Sequence, residues 1–107
     1  MSATQSSVPQ HHILFYEYVP DIAERRGPYR EAHLGRIRAE KEAGRIVMAG
    51  ALEAIGRPGD ASAGSITGGA LVFQGVDPEA IEAFAREDPY AQAGLVTSHR
   101  VERWNLV

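Results

Sequence analysis

The stretch His12-Ile13-Leu14-Phe15-Tyr16-Glu17-Tyr18-Val19 decides the fold. It is β-branched and aromatic, Pro20 closes it, and it reads as a first strand. Both of its faces are apolar: Ile13, Phe15 and Val19 alternate with Leu14, Tyr16 and Tyr18. An antiparallel strand with one face in water alternates apolar with polar instead. This strand therefore expects cover on two sides.

Downstream, Asp21 to Gly27 reads as a helical turn or a loop. A helix follows from Pro28, which suits a first helical position, to Ala43, with Gly44 as its stop. Arg30, His33, Leu34, Ile37 and Lys41 recur three and four apart on one face, while Glu31, Arg38 and Glu42 look outward. Arg45 to Ile55 reads as strand two, Gly56 to Ser65 as a loop, and Gly69 to Gln74 as strand three. Asp77-Pro78 opens a second helix as N-cap and first position, burying Ile81, Phe84 and Ala85. Asp88-Pro89-Tyr90 restarts the chain, and Val96 to Leu106 forms the last strand.

The order β-α-β-β-α-β, with right-handed crossovers, makes an α+β ferredoxin-like fold: a four-stranded antiparallel sheet with both helices on one face. The opposite face stays bare, yet strands two and three, like strand one, are apolar on both sides. A monomer rarely exposes more than a few hundred Å² of contiguous apolar surface. A second copy packed face to face, closing a two-subunit barrel, is the expected remedy, so a homodimer is expected. Residues 12–107 read as one domain and residues 1–11 as a flexible tail.

Composition narrows the function. The 107 residues contain no cysteine, which removes disulfides, thiolate metal sites and thiol nucleophiles. Eleven basic against fourteen acidic side chains leave a net charge of −3, the wrong sign for a nucleic-acid partner. No apolar run reaches the ~20 residues that cross a bilayer, and the first residues lack the pattern of a secretory signal. A cytoplasmic protein is expected.

Of the four histidines, His11 and His12 sit at the tail junction and are expected in solvent, and His99 is expected to pack or hydrogen-bond across strands. His33 stands apart, mid-helix on the core-facing stripe, where an imidazole must find a partner or a cavity. Taken by itself, it reads first as a structural group. Asp88 has an equally plain reading as an N-cap, the device already used at Asp77-Pro78. It follows the second helix, however, and both helices share one sheet face, so a turn there can reach a side chain on the first helix.

Arg30-Glu31-Ala32-His33-Leu34, Ala49-Gly50, Thr67-Gly68 and Asp88-Pro89-Tyr90-Ala91-Gln92-Ala93-Gly94, in that order, resemble the YCII-related (YciI-like) proteins over residues 13–106. The resemblance implies a small dimeric α+β barrel and a catalytic histidine–aspartate pair, roles that fall on His33 and Asp88. Such relatives often place a serine near the start of strand three, where this chain has Gly68-Gly69; Ser65 or Thr67 would have to supply that hydroxyl.

A carboxylate on an imidazole fixes one tautomer and leaves the other nitrogen free to move a proton. Arg30, one turn before His33, would clamp an oxyanion, or else form a surface ion pair with Glu31 or Glu24, which is the expected role; Arg26 is a weaker version of the same idea. Tyr90 would line the pocket or simply pack, and Ser65 is the third substrate-binding candidate. Trp104 is expected in the core or the dimer contact. No metal-ligand spacing, P-loop or dinucleotide fingerprint occurs, so neither metal nor cofactor is expected; the glycine-rich stretch from 56 to 69 reads as a lid or edge. The expected function is cofactor-independent proton transfer, of isomerase or lyase type, on a small molecule. The alternative is a dimeric ligand-binding or accessory module in which the same pair is structural.

Overall fold

A computed structural model describes residues 8–57, 59–61 and 63–107. Of the expected tail, residues 1–7 lie outside these, as do positions 58 and 62 of the glycine-rich loop. The elements run β1 (His11–Tyr18), α1 (Ile22–Arg25), α2 (Gly27–Glu42), β2 (Ile46–Glu53), β3 (Ile66–Gln74), α3 (Pro78–Arg86), α4 (Pro89–Gln92) and β4 (Val96–Trp104). The strands form one antiparallel sheet in the order β2-β3-β1-β4. This is the ferredoxin-like order, with two single-turn helices, α1 and α4, added at the segments read as turns.

Register fixes which side chains share a face. Leu14 pairs with Leu71 and Val101, and Tyr16 with Gly69 and His99. These residues point toward the helices, where Leu14, Tyr16, Leu71 and Phe73 join Ile37, Ile81 and Ala85 in the main buried cluster. Burying each large apolar side chain contributes about 1.5–3 kcal/mol. Ile22, Tyr90 and Leu95 form a second cluster where α1 and α4 meet the sheet end. Arg36 ties α2 to α3, donating to the Phe84 carbonyl at 3.0 Å with its guanidinium 4.1 Å from the Phe84 ring centre.

Alternation sends Ile13 and Phe15 to the other face, in register with Val72 and Ala70. Met48 pairs with Val72 on that face, and Trp104 pairs with His11 at its edge. Met48 is 58% exposed, Leu52 41% and Trp104 45%. The side of the sheet away from the helices thus exposes Met48, Leu52 and Trp104, with Arg100 and Glu102 on the β4 side and Arg100 lying over Phe15, and Trp104 belongs to this face rather than to the core.

Several boundaries differ from expectation for identifiable reasons. Strand β3 begins at Ile66, three residues before its expected start at Gly69, because ladder pairing with Glu53 and Glu17 overrides the local glycine signal. A Cβ at Gly68 would run into the Tyr16 carbonyl oxygen, so this crossing needs glycine. Gly44 ends α2 at φ 79°, as a helix stop does. Asp77 occupies the N-cap of α3 without a side-chain cap bond. His12, expected in solvent, is 3% exposed: it shares the helix-facing parity of Leu14 and Tyr16, and neither ring nitrogen has a partner. His99 bonds through Nε2 to Glu82 Oε1 of α3 at 2.6 Å rather than to a neighbouring strand.

Candidate functional site

The site is assembled around one carboxylate. Asp88 stands at the N-cap of α4 with extended backbone, and its Oδ1 accepts the Tyr90 backbone N–H at 2.9 Å. The plain capping role is therefore real, but Asp88 is only 1% exposed and its carboxylate has further partners. His33 Nδ1 lies 2.8 Å from Oδ1 and 3.0 Å from Oδ2, and the Tyr16 hydroxyl donates to Oδ2 at 2.8 Å. A buried carboxylate is tolerable when its lone pairs are met by donors, and here α2, β1 and α4 each provide one.

This arrangement fixes His33. A carboxylate accepts, so Nδ1 carries the proton it donates, and Nε2 is the nitrogen left to do chemistry. Nε2 has no partner among the described residues and is not sealed from solvent, since the only buried side-chain polar atoms without partners there are those of His12. Tyr90 backs the ring, its centroid 3.8 Å from that of the imidazole and the planes 6° from parallel. Tyr18 meets Tyr90 edge-on at 5.7 Å. Burial, reinforced by the Asp88 charge, pushes the Tyr16 phenol far up, which keeps it protonated as a donor. Tyr18 is pushed up by burial first and then by Asp88 and Tyr90, and Tyr90 by burial against the downward pull of Arg26 and Arg30.

His33 opens onto a cavity of about 240 Å³ between α2 and the sheet. Its walls are Arg26 at the corner before α2, Arg30, His33, Leu34 and Ile37 of the α2 stripe, Ala49, Gly50 and Ala51 of β2, Leu71 of β3, and Tyr18 and Tyr90. Among the expected site residues, His33, Asp88, Tyr90 and Arg30 come together; Ser65 does not. Ser65 is exposed at the loop end, absent from the cavity wall, and Thr67 turns its hydroxyl to the Leu52 carbonyl at 3.4 Å. Beside Gly69 of β3 stands the Tyr18 hydroxyl, which a Cβ there would meet at 2.9 Å.

Arg30 also departs from its expected surface pairing: it has no ion pair with Glu31 or Glu24 among the described residues, and Glu31 instead faces Arg38 at 3.9 Å. Two participants went unrecognised in the sequence. In the sequence Tyr16 stands only as a member of one apolar face, although a buried phenol needs an acceptor. Tyr18 shares its parity and turns inward with it. No cluster of His, Asp and Glu among the described residues could hold a metal ion.

A ferredoxin-like α+β chain with an imidazole–carboxylate pair at a helix–sheet cavity is a recognisable class of small protein, and comparison with known proteins identifies which one. The YCII-related domain model matches residues 11–105. An uncharacterized protein of Haemophilus influenzae is 31% identical over 85 residues, covering 79% of this chain and 86% of that protein. Protein YciI of Escherichia coli is 31% identical over 84 residues, covering 78% of this chain and 85% of that one. The chain belongs to the YCII-related family. Among solved structures, 5-chloro-2-hydroxyhydroquinone dehydrochlorinase of Burkholderia phenoliruptrix, in complex with 2,5-dihydroxybenzoquinone, superposes with a TM-score of 0.73 at 24% identity, covering 91% of this chain and 95% of that one. That likeness establishes a shared fold.

Proposed function

We propose that this protein is a cofactor-independent proton-transfer enzyme acting on a small molecule, of lyase or isomerase type. The carrying observation is the polarity of one imidazole: Nδ1 bound to buried Asp88, Nε2 bare toward a cavity of substrate size. His33 is the general base or acid and Asp88 its orienting partner. In an elimination, Nε2 takes a proton from the substrate, the freed electron pair forms the new π bond, and the leaving group departs as an anion. In an isomerisation, Nε2 returns the proton at a second atom. Arg30 stabilises the negative charge that develops on the substrate in either case. The fold shared with 5-chloro-2-hydroxyhydroquinone dehydrochlorinase supports a lyase acting on a ring compound.

The assembly we propose is a homodimer in the cytoplasm, with the apolar sheet face of Ile13, Phe15, Met48 and Val72 covered by a second copy. Among the described residues, no helix is long and apolar enough to cross a membrane. Neither a nucleic acid nor a membrane enters this reading.

One observation favours a second reading, a non-catalytic ligand-binding module: Asp88 also caps α4 and anchors Tyr16, so the pair has a structural duty. Turnover separates the two. Halogenated hydroxyhydroquinones are offered to the parent protein and to His33→Asn, with halide release as the readout. Loss of ~10²–10⁴ in rate, the usual worth of a positioned acid–base group, supports the enzyme. Equal turnover by both overturns it, and no turnover by the parent favours the binding module.

A further inference from the structure

The cavity holds an asymmetry of which the proton-transfer reading uses only Arg30. Arg26, Arg30, His33 and Ile37 follow one another along the same face of α2 and the corner before it, and all four line the cavity. At 1.5 Å per residue, Arg30 and Ile37 are about 10 Å apart along the axis, with His33 between them. One end of the cavity is therefore cationic, and the other is closed by Leu34, Ile37 and Leu71. No carboxylate lines it.

Both guanidiniums lack a carboxylate partner among the described residues: of the nearby acids, Asp21 pairs with Arg25 at 3.5 Å and Glu31 with Arg38, and Glu24 pairs with neither guanidinium. Both also act on the Tyr90 phenol, drawing its pKa down against the effect of burial. Two fork-shaped cations aimed into a cavity and left unneutralised match a planar oxyanion, which guanidinium groups bind with paired N–H donors. In a chain of net charge −3, a local cationic pair free of acids is a feature with a partner outside the chain.

We infer that Arg26 and Arg30, with the Tyr90 phenol, form an anion subsite, so that the ligand is a small organic anion whose compact apolar body lies past His33 against Ile37 and Leu71. This rests on the proton-transfer reading for what happens at Nε2, and adds the class of compound delivered to it. Arg26 is then a specificity residue: it fixes the charged end of the ligand and, through it, which atom faces the imidazole.

Benzoate and benzamide make a matched test, equal in shape and different in charge. Binding of each is followed by titration calorimetry and by ¹H–¹⁵N spectra of the parent, Arg26→Gln, Arg26→Lys and His33→Asn proteins. Benzoate is expected to bind at least about tenfold more tightly than benzamide, since charge-assisted hydrogen bonds are worth one to two decades in affinity. Arg26→Gln removes that preference and Arg26→Lys restores part of it. His33→Asn retains it, which separates this subsite from the proton-transfer proposal: a failure of turnover leaves anion binding intact. Equal affinity for the two compounds, an unaltered preference in Arg26→Gln, or no benzoate binding by the parent overturns the inference.

Discussion

The imidazole of His33 and the phenol of Tyr90 lie in parallel contact, centroids 3.8 Å apart, while the backbone N–H of the same Tyr90 holds the carboxylate that His33 faces. Tyr90 thus constrains both partners of the pair, one by stacking and one by capping. The side chain matters for the ring's position through the stack, and the hydrogen bonds that hold His33 go to Asp88. Tyr90→Phe is expected to keep the stack and the fold within about 1 kcal/mol, whereas Tyr90→Ala costs about 3–5 kcal/mol as a large buried ring is lost. Urea denaturation of the two variants checks this, and equal stability would contradict it.

Tyr16→Phe removes one of the donors to the buried Asp88 carboxylate and changes little else. The expected loss is about 1–3 kcal/mol, the cost of leaving a buried acceptor short of a partner. Denaturation midpoints measure it; a variant as stable as the parent would mean that solvent reaches Oδ2.

The framework of this site was legible because its signals are local. The α2 stripe places His33 inward by helical period, and the Asp-Pro pair marks a cap. What could not be read depended on tertiary packing or on a misapplied local rule. Arg30 and Glu31 are adjacent in sequence, and neighbours on a helix do not face each other, so the expected ion pair was geometrically poor from the start. His12 was judged by its nearness to the tail, although strand parity put it with Leu14 and Tyr16. That Tyr16 reaches Asp88, 72 positions away, follows only from how the helices seat on the sheet.

His12 makes acid stability testable. Burial, then the charge of Arg103 across the strand pair, lowers its pKa below the ordinary 6.5, with His11 adding to this and Asp77 opposing it. The folded state then binds this proton less readily than the unfolded chain. Stability is full above about pH 6.5 and falls as pH drops below it, until the folded ring itself protonates. His12→Leu is expected to remove this component, so the parent-minus-variant difference in unfolding free energy should change between pH 7 and pH 5, to the parent's disadvantage at the acid end. A difference independent of pH would refute the assignment.

The uncovered sheet face sets an expectation for assembly. The parent should run at twice the 11.6 kDa chain mass in light scattering, and Met48→Glu, which puts a charge beside Val72 on that face, should shift it toward the monomer. A monomeric parent would contradict the dimer.

The account stands on which nitrogen of His33 is free. A two-bond ¹H–¹⁵N spectrum of the neutral ring reads this directly. The expected pattern is a protonated Nδ1 and a bare Nε2 whose signal moves when benzoate enters the cavity. A protonated Nε2, or a ring signal indifferent to everything that binds there, would contradict it.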